Sequence, residues 1–456
     1  MRKAGSVIIF FGMISIAATI DIDNLFPYAD LAIPAYITIE NTPDENPITD
    51  AGATLGRVLF YDKQLSAEGT VSCSSCHHQE FAFGDTALQS IGVSGVTARH
   101  SMRLVNGRFS NEPRFFWDER AATLEDQVTM PIRDHVEMGF SSFGGDPSFD
   151  SLISRLSSID YYQILFPLAF ESSEITEERI QFALAQFVRS IQSFDTPFDE
   201  GLAQANGFNG PFGNYTDQEN MGKQLFLQPR PLGGAGCAGC HSPPEFGIDP
   251  ESLNNGVITI ASSGEIDLTN TRAPSLRELI NPDGEENGPF MHDGSLATLS
   301  DVIDHYDFVA PNPQNTNLDT RLQGPPLNLS EVEKAALVAF LRTLSGTEVY
   351  TAEQWSDPFD QNGNLDLIGG TTNVESGSEK GIRTKVFPNP FQDFFYIESE
   401  SERFQLEFYS LTGMLVKQVS ATTGERLNGT ALPRGAYILK IISGENEVET
   451  FKVVKN

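Results

Sequence analysis

The sequence predicts a mainly α-helical protein of two tandem modules of one design, followed by a small all-β domain, an antiparallel sandwich. Three observations carry this. A composite pattern occurs twice: GRVLF (56–60), CSSCH (73–77) and FAFGD (81–85) return as GKQLF (222–226), CAGCH (237–241) and EFGID (245–249). Around both copies, apolar residues fall at helical spacing. Beyond residue 385 the apolar period shortens to two. A chain of 456 residues exceeds one ordinary core, so several domains are expected.

The chain opens as a secretory signal peptide, assigned to 1–20. Arg2 and Lys3 precede the apolar run Val7–Ala18, and the small residues Ala17, Ala18 and Thr19 follow. The run is too short for a membrane span, and no later stretch is long enough for one. The first module is assigned to 21–205. An amphipathic helix around Leu55, Val58 and Leu59 leads into its cysteines, and a second helix near 176–194 starts from Thr176 as cap. The second module, 206–348, repeats the plan with Met221, Leu225 and Phe226, then a helix from the Ser330 cap to a stop at Gly346. A linker follows over 349–385. From 357 it is rich in Asp, Asn, Gly, Ser and Thr, and Asp360, Asn362, Asn364 and Asp366 alternate in it. Its glycine stands at 363, not where an EF-hand turn requires one, so solvated linker is the reading. The β-domain spans 386–456. Phe404, Leu406 and Phe408 alternate with polar residues, and so do Tyr437, Leu439 and Ile441, before a turn at SGEN.

The formal net charge is −32, and residues 386–456, with 7 basic and 9 acidic residues, hold little of it. Nucleic acid is excluded as a partner on charge. An acidic, solvated surface is the plain reading. The four cysteines of an exported chain invite disulfides, but all four sit in two CxxCH frames. A disulfide framework gives no reason for a histidine after each second cysteine. A c-type haem does. Two cysteine sulfurs add to the porphyrin vinyl groups, and the next residue brings an imidazole to the iron. Cys73 and Cys76, then Cys237 and Cys240, are thus the attachment points of two covalent c-type haems, with His77 and His241 as proximal iron ligands. Zinc ribbons pair their CxxC motifs at short range and need no such histidine. A thioredoxin-like motif lacks its βαβ context. GAGCAG (234–239) fits GxGxxG but overlaps the second haem motif and follows no strand. His78, one step round a helix from His77, cannot face the same iron and reads as a surface residue. A sixth ligand on both irons makes an electron carrier, whereas one open site makes an enzyme. Spacing alone does not choose among His100, His135, His292 and His305.

From about 50 to 345 the chain resembles the bacterial di-haem cytochrome c peroxidase and MauG family. LGRVLFYDKQLSAEGTVSCSSCH, RFFWDERAATLEDQ, HVEMGF, APSLREL and PFMHDGSLATLSDVIDHY carry the resemblance, in that order. It implies two cytochrome c-like haem modules, with peroxide reduced at the first haem and electrons delivered through the second. It implies that Gln127 and Glu137 form the distal pair, the glutamate moving the proton that O–O cleavage needs. It implies that Trp117 lies between the haems as a relay. Val93 in SIGVSG stands where the peroxidases carry a histidine that caps the first haem, so that haem is expected to be open. Tyr306 stands where the peroxidases have methionine, and is the expected distal ligand of the second iron. The resemblance also implies a calcium ion on the backbone carbonyls of Asn287 and Pro289. His100, a poor calcium ligand, replaces the expected asparagine.

Residues VFPNPF (386–391), LTGMLV, LPRGAYILKI and FKVVKN resemble a type IX secretion sorting domain. The expectation is an exported di-haem peroxidase, in the periplasm in transit and then at the cell surface or outside it. Its partners would be hydrogen peroxide, a small redox protein or other electron donor, and the secretion machinery. Two other readings stay open: a MauG-type oxidase of residues on a partner protein, and a non-enzymatic di-haem electron carrier.

Overall fold

A computed structural model describes residues 19–205, 207–269, 271–369, 384–387, 391, 394–399, 402–410, 415–430, 432–443 and 448–455. The expected signal segment lies outside them, except Thr19 and Ile20. These two belong to a short strand, β1 (Thr19–Asp21). The chain divides into two compact units, residues 1–368 and 369–456.

In the first unit, helices α1 (Asp50–Tyr61), α2 (Leu124–Arg133), α3 (Phe149–Leu156), α4 (Asp160–Phe170) and α5 (Glu177–Ser190) surround one hydrophobic core. After α6 (Pro197–Gln204), a second core forms from α7 (Asp217–Leu227), α8 (Leu299–Asp307) and α9 (Glu331–Arg342). Long irregular segments connect these helices, with two-residue strands β2 (His241–Ser242) and β3 (Gly247–Ile248) after the second cysteine pair.

The sequence repeat has a packing reason. The glycine of GRVLF, Gly56, sits where α1 crosses α5, and a Cβ there would meet the Ala183 carbonyl oxygen at 1.9 Å. The glycine of GKQLF, Gly222, sits where α7 crosses α9, and a Cβ there would meet the Ala336 carbonyl oxygen at 1.9 Å. The phenylalanine four residues above each of these points also repeats. Phe60 lies 5.2 Å from Phe187 and 5.9 Å from Phe83, and Phe226 lies 5.2 Å from Phe340 and 5.7 Å from Phe246. Each of the two cores holds one glycine-mediated helix crossing packed with three aromatic rings.

Residues 349–368, part of the stretch expected to be linker, are folded instead. The short helix α10 (Glu348–Thr351) is followed by Trp355, 1% exposed within the first core, and by β4 (Asp366–Ile368), which pairs in parallel with β1. Trp355 and Ser356 answer α1 directly: Tyr61 Oη donates to the Trp355 carbonyl at 2.7 Å, and Arg57 Nε to the Ser356 carbonyl at 2.6 Å. The polar composition that suggested a linker is satisfied locally, since Asp360 Oδ1 accepts from the amides of Asn362 and Asn364.

The second unit contains antiparallel strands in two sheets. Strands β5 (Lys385–Phe387), β6 (Phe394–Glu398) and β9 (Arg426–Asn428) form one, in the order β5-β6-β9, with β8 (Leu415–Thr422) belonging to the other. That other sheet runs β11-β10-β7-β8, from β7 (Arg403–Ser410), β10 (Gly435–Ser443) and β11 (Val448–Lys455). Leu439 opposes Phe408 and Ile441 opposes Leu406, so the two alternating runs read from the sequence share one buried face. The SGEN turn lies mostly outside the described residues.

Candidate functional site

Each cysteine pair is carried on a single turn of 3-10 helix, Cys73–Ser75 and Cys237–Gly239. The turn closes through the Cys73 carbonyl, which accepts from Cys76 N at 3.2 Å and from His77 N at 3.0 Å, and through Cys237, which accepts from Cys240 N at 3.1 Å. That brings both sulfurs and the following imidazole to one side. All four cysteines are free. They are part-exposed by surface area yet lie deep in the fold, so what they meet is a cavity. Burial pushes Cys73 and Cys237 up to about 12 and holds them as neutral thiols.

His77 Nδ1 lies 3.0 Å from the carbonyl oxygen of Phe83, a residue in the left-handed region at φ 59°. With its proton donated there, Nε2 keeps the lone pair a metal needs. Phe246 repeats this conformation at φ 56°. Its carbonyl favours a protonated His241, but His241 Nδ1 falls short of hydrogen-bond geometry. Burial drives both histidines down to about 4, so both are neutral. His78 is not on a helix beside His77, as expected, but half-buried in a bridge to Gly84, with its ring edge-on to Phe81 at 6.1 Å.

Two cavities follow from this arrangement. The first, ≈ 590 Å³, is bordered by Cys73, Cys76, His77, Gln127, Glu137 and Trp117. The second, ≈ 620 Å³, is bordered by Cys237, Cys240, His241, Met291, Tyr306 and again Trp117. Both lie in the size range of cofactor pockets. Free thiols, neutral imidazoles and space of this size are what a covalently attached haem requires, so the residues fit the group.

The wall between the cavities is Trp117 with segments 100–103 and 272–274, all of which border both. Trp117 Nε1 donates to the His100 carbonyl at 2.8 Å, and the Trp117 carbonyl accepts from Thr271 N and Arg272 N. The indole is therefore held at Nε1, and its backbone at the carbonyl. Gln127 lies on α2, and Glu137 in the turn after it, where Asp134 Oδ1 accepts from Glu137 N at 3.0 Å. Burial pushes the Glu137 carboxyl up to about 7. The Val93 loop docks on this turn: Val93 N donates to the Glu137 carbonyl at 3.0 Å and Ser94 N to the Val136 carbonyl at 3.1 Å. A Cβ on Gly92 would meet the Val136 carbonyl oxygen at 2.1 Å.

In the second cavity, Tyr306 and Met291 converge. Asn255 Nδ2 donates to Met291 Sδ at 3.2 Å and to Tyr306 Oη at 3.4 Å. His305 turns away, its Nε2 2.9 Å from the Asn255 carbonyl oxygen. Asn255 went unremarked in the sequence, because an asparagine before glycine reads only as a turn. Arg103, Arg272 and Glu245 border the first cavity and were also missed. At the expected calcium positions, Asn287 Nδ2 donates to the Glu278 carbonyl and to Tyr350 Oη while its Oδ1 is buried without a partner, and His100 Nδ1 lies 3.0 Å from the Ala87 carbonyl oxygen. Among the described residues no group of three or more His, Cys, Asp or Glu side chains could hold a metal ion. Pro289 borders the second cavity.

Two cavities, each bordered by a CxxCH turn and sharing a wall that contains Trp117, are what a di-haem c-type protein requires. Residues 50–207 match the family described as Di-haem cytochrome c peroxidase. The methylamine utilization protein MauG of Methylophilus methylotrophus is 32% identical over 313 residues, 67% of this chain and 85% of that one. The cytochrome c peroxidase Ccp of Escherichia coli strain K12 is 30% identical over 330 residues, 69% of this chain and 62% of that one. A crystal structure of a MauG-like protein associated with microbial copper homeostasis superposes with a TM-score of 0.59 at 30% identity, over 72% of this chain and 99% of that one. The chain belongs to the di-haem cytochrome c peroxidase and MauG family. It is an oxidoreductase of the peroxidase class, and the family implies two c-type haems. Residues 385–456 match the secretion system C-terminal sorting domain, which implies export. Among the described residues no helix is long and apolar enough to cross a membrane.

Proposed function

We propose that the protein reduces hydrogen peroxide in the first cavity with electrons that arrive through the second. The observation that carries this is Glu137, a carboxyl that burial pushes up to about 7, in the wall of the cavity bordered by Cys73, Cys76 and His77. Such a carboxyl takes a proton from one peroxide oxygen and returns it to the other. A carboxylate of ordinary affinity would be a weaker base toward the peroxide proton. Gln127 orients the peroxide through its amide, and Val93 offers no ligand to close the site. The haem, when bound, supplies the iron and the electrons. Trp117 is the proposed relay, and His241 and Tyr306 the proposed axial pair at the second iron. The modules are proposed to divide at 205/206, with the linker beginning after 368. A small redox protein is the proposed donor. The sorting domain would take the protein through the type IX machinery from the periplasm to the cell surface or beyond.

Steady-state peroxide consumption with reduced cytochrome c tests the reading. Turnover that Glu137→Gln slows by about a hundredfold or more supports it; no turnover with any reduced donor sinks it. The second cavity favours one other reading. A phenolate from Tyr306 is a hard anion that stabilises ferric iron and lowers the potential, which makes reduction by an ordinary cytochrome harder. The MauG-type alternative, oxidation of residues on a partner protein, would then be favoured, and it would appear as peroxide-dependent modification of that partner without cytochrome oxidation. A plain electron carrier would leave both irons six-coordinate and bind little carbon monoxide when reduced.

A further inference from the structure

We infer that Glu245, as a neutral carboxylic acid, binds a carboxylate side group of the haem in the first cavity, with Arg103 and Arg272 completing the subsite, and that it thereby ties a proton to that haem's oxidation state. The inference rests on the di-haem reading. Glu245 follows the second CxxCH by four residues, yet it borders the first cavity and is only 8% exposed. Its neighbour Arg277 is fully buried between two carboxyl groups. Asp199 takes the guanidinium in a bidentate pair, at 2.8 and 2.9 Å, and also accepts from Tyr36 Oη at 2.6 Å and Thr196 Oγ1 at 2.6 Å. Glu245 is left with Arg277 Nε at 3.2 Å, outside hydrogen-bond geometry.

One cation between two ionised carboxylates leaves a buried negative charge, which the interior penalises heavily. Asp199 has the better partners and is held below the usual carboxylate range despite its burial. The proton therefore belongs on Glu245, whose carboxyl burial pushes up to about 8. Asn106 Nδ2 donates to Oε1 at 3.0 Å, so the proton sits on Oε2. That atom is buried and has no partner. A buried O–H without an acceptor is costly, and native folds rarely leave one. The acceptor must come from what fills the cavity. A haem attached through its vinyl groups keeps two propionate carboxylates. Arg103 and Arg272, which border the same cavity, each carry a buried Nε without a partner. Arg272 Nη1 is already spent on the carbonyls of Glu112, at 2.9 Å, and Arg114. A neutral acid and two guanidinium groups are a receptor for carboxylates.

At a pH where Glu245 is ionised beside the oxidised haem, one electron delivered to that haem would remove one positive charge from the iron and draw one proton from solvent onto Glu245, leaving the local charge unchanged. The ferric state therefore holds the Glu245 proton less tightly than the ferrous state, and between the two affinities the potential falls as pH rises. The groups facing Glu245 are Arg277, Asp199, Tyr36 and Asn106, with Arg103 and Arg272 bordering the same cavity. The test is spectroelectrochemical titration of the full-length protein carrying two haems, across the neutral and alkaline range. In the wild type the reduced-to-oxidised ratio of the first haem should fall by up to tenfold per pH unit, about 59 mV for one electron. Glu245→Gln fixes the neutral form. It should keep two haems, match the wild type at low pH, lie above it at high pH, and lose the Glu245 part of the slope. Glu137 borders the same cavity, so Glu137→Gln is the control and should retain the Glu245 part of the slope. If Glu245→Gln fails to load haem, the infrared difference spectrum of the wild type decides, through a protonated-carboxyl band that shifts on reduction. An unaltered slope in Glu245→Gln with two haems present, or the absence of that band, would overturn the inference while leaving the di-haem reading intact.

Discussion

A single carboxyl sets the expected pH behaviour. Glu137 is pushed up by burial to about 7, so the ionised base is lost as pH falls through that value. Peroxide turnover should fall with it, and Glu137→Gln should slow turnover by about a hundredfold or more and remove that limb of the profile, while haem content stays at two. The stability sign is the reverse. The fold prefers protonated Glu137, so its ionisation costs stability as pH rises from the unfolded value through about 7, and Glu137→Gln should flatten that decline in denaturant titrations. Unchanged kinetics would assign Glu137 to structure alone. At the second cavity, Tyr306 and Met291 share one amide donor, Asn255. With Tyr306 as ligand, the oxidised protein should lack the near-infrared band of histidine–methionine haem, and Tyr306→Phe should alter its low-spin electron paramagnetic resonance signal. A methionine band that survives Tyr306→Phe and vanishes in Met291→Leu would identify Met291 as the ligand instead.

Helix crossings are where the repeat in the sequence becomes a repeat in space. Gly56 and Gly222 let a backbone carbonyl approach to within a methyl group's radius, and the Phe60, Phe83, Phe187 and Phe226, Phe246, Phe340 sets close over each crossing. Overpacking a tight core costs about 1–3 kcal/mol. Gly56→Ala should therefore destabilise the first module by about that much, and Gly222→Ala the second, each read by loss of the corresponding haem signal during chemical unfolding. Equal stability in both variants would mean that the helices slide apart freely and that the crossing is not what holds the module. Because Phe83 and Phe246 also present their carbonyls on the histidine side, loosening a crossing should disturb the imidazole as well as the core.

Across the whole molecule, the decisive boundary is residue 368. A protein ending there should keep both haems and the activity of the full chain, because residues 1–368 form one compact unit. One ending at 348 loses Trp355, and an indole buried to 1% exposure is worth about 3–5 kcal/mol when removed. It should unfold at clearly lower denaturant than the protein ending at 368, and equal midpoints would show that Trp355 contributes little. In the native host, the protein without 386–456 is expected to remain in the periplasm. Its normal appearance outside the cell would remove the sorting role.

Wherever function depends on residues adjacent in the chain, the sequence alone was enough. CxxCH makes the proposed haem attachment legible because two thiols and an imidazole within five residues can reach one cofactor whatever surrounds them. The alternating Phe404, Leu406 and Phe408 determined a half-buried strand because side-chain direction in a strand has a period of two. Residues 349–368 misled, since a polar composition cannot report that one tryptophan docks into a core at Ser190, 165 residues earlier in the chain. The same holds for the subsite around Glu245. It joins a loop of one module to the cavity of the other, and its chemistry comes from an oxygen left without a partner, Oε2. Burial and pairing are properties of a packed interior, where distant segments meet and desolvation decides which groups keep a proton. Only the tertiary structure settles them.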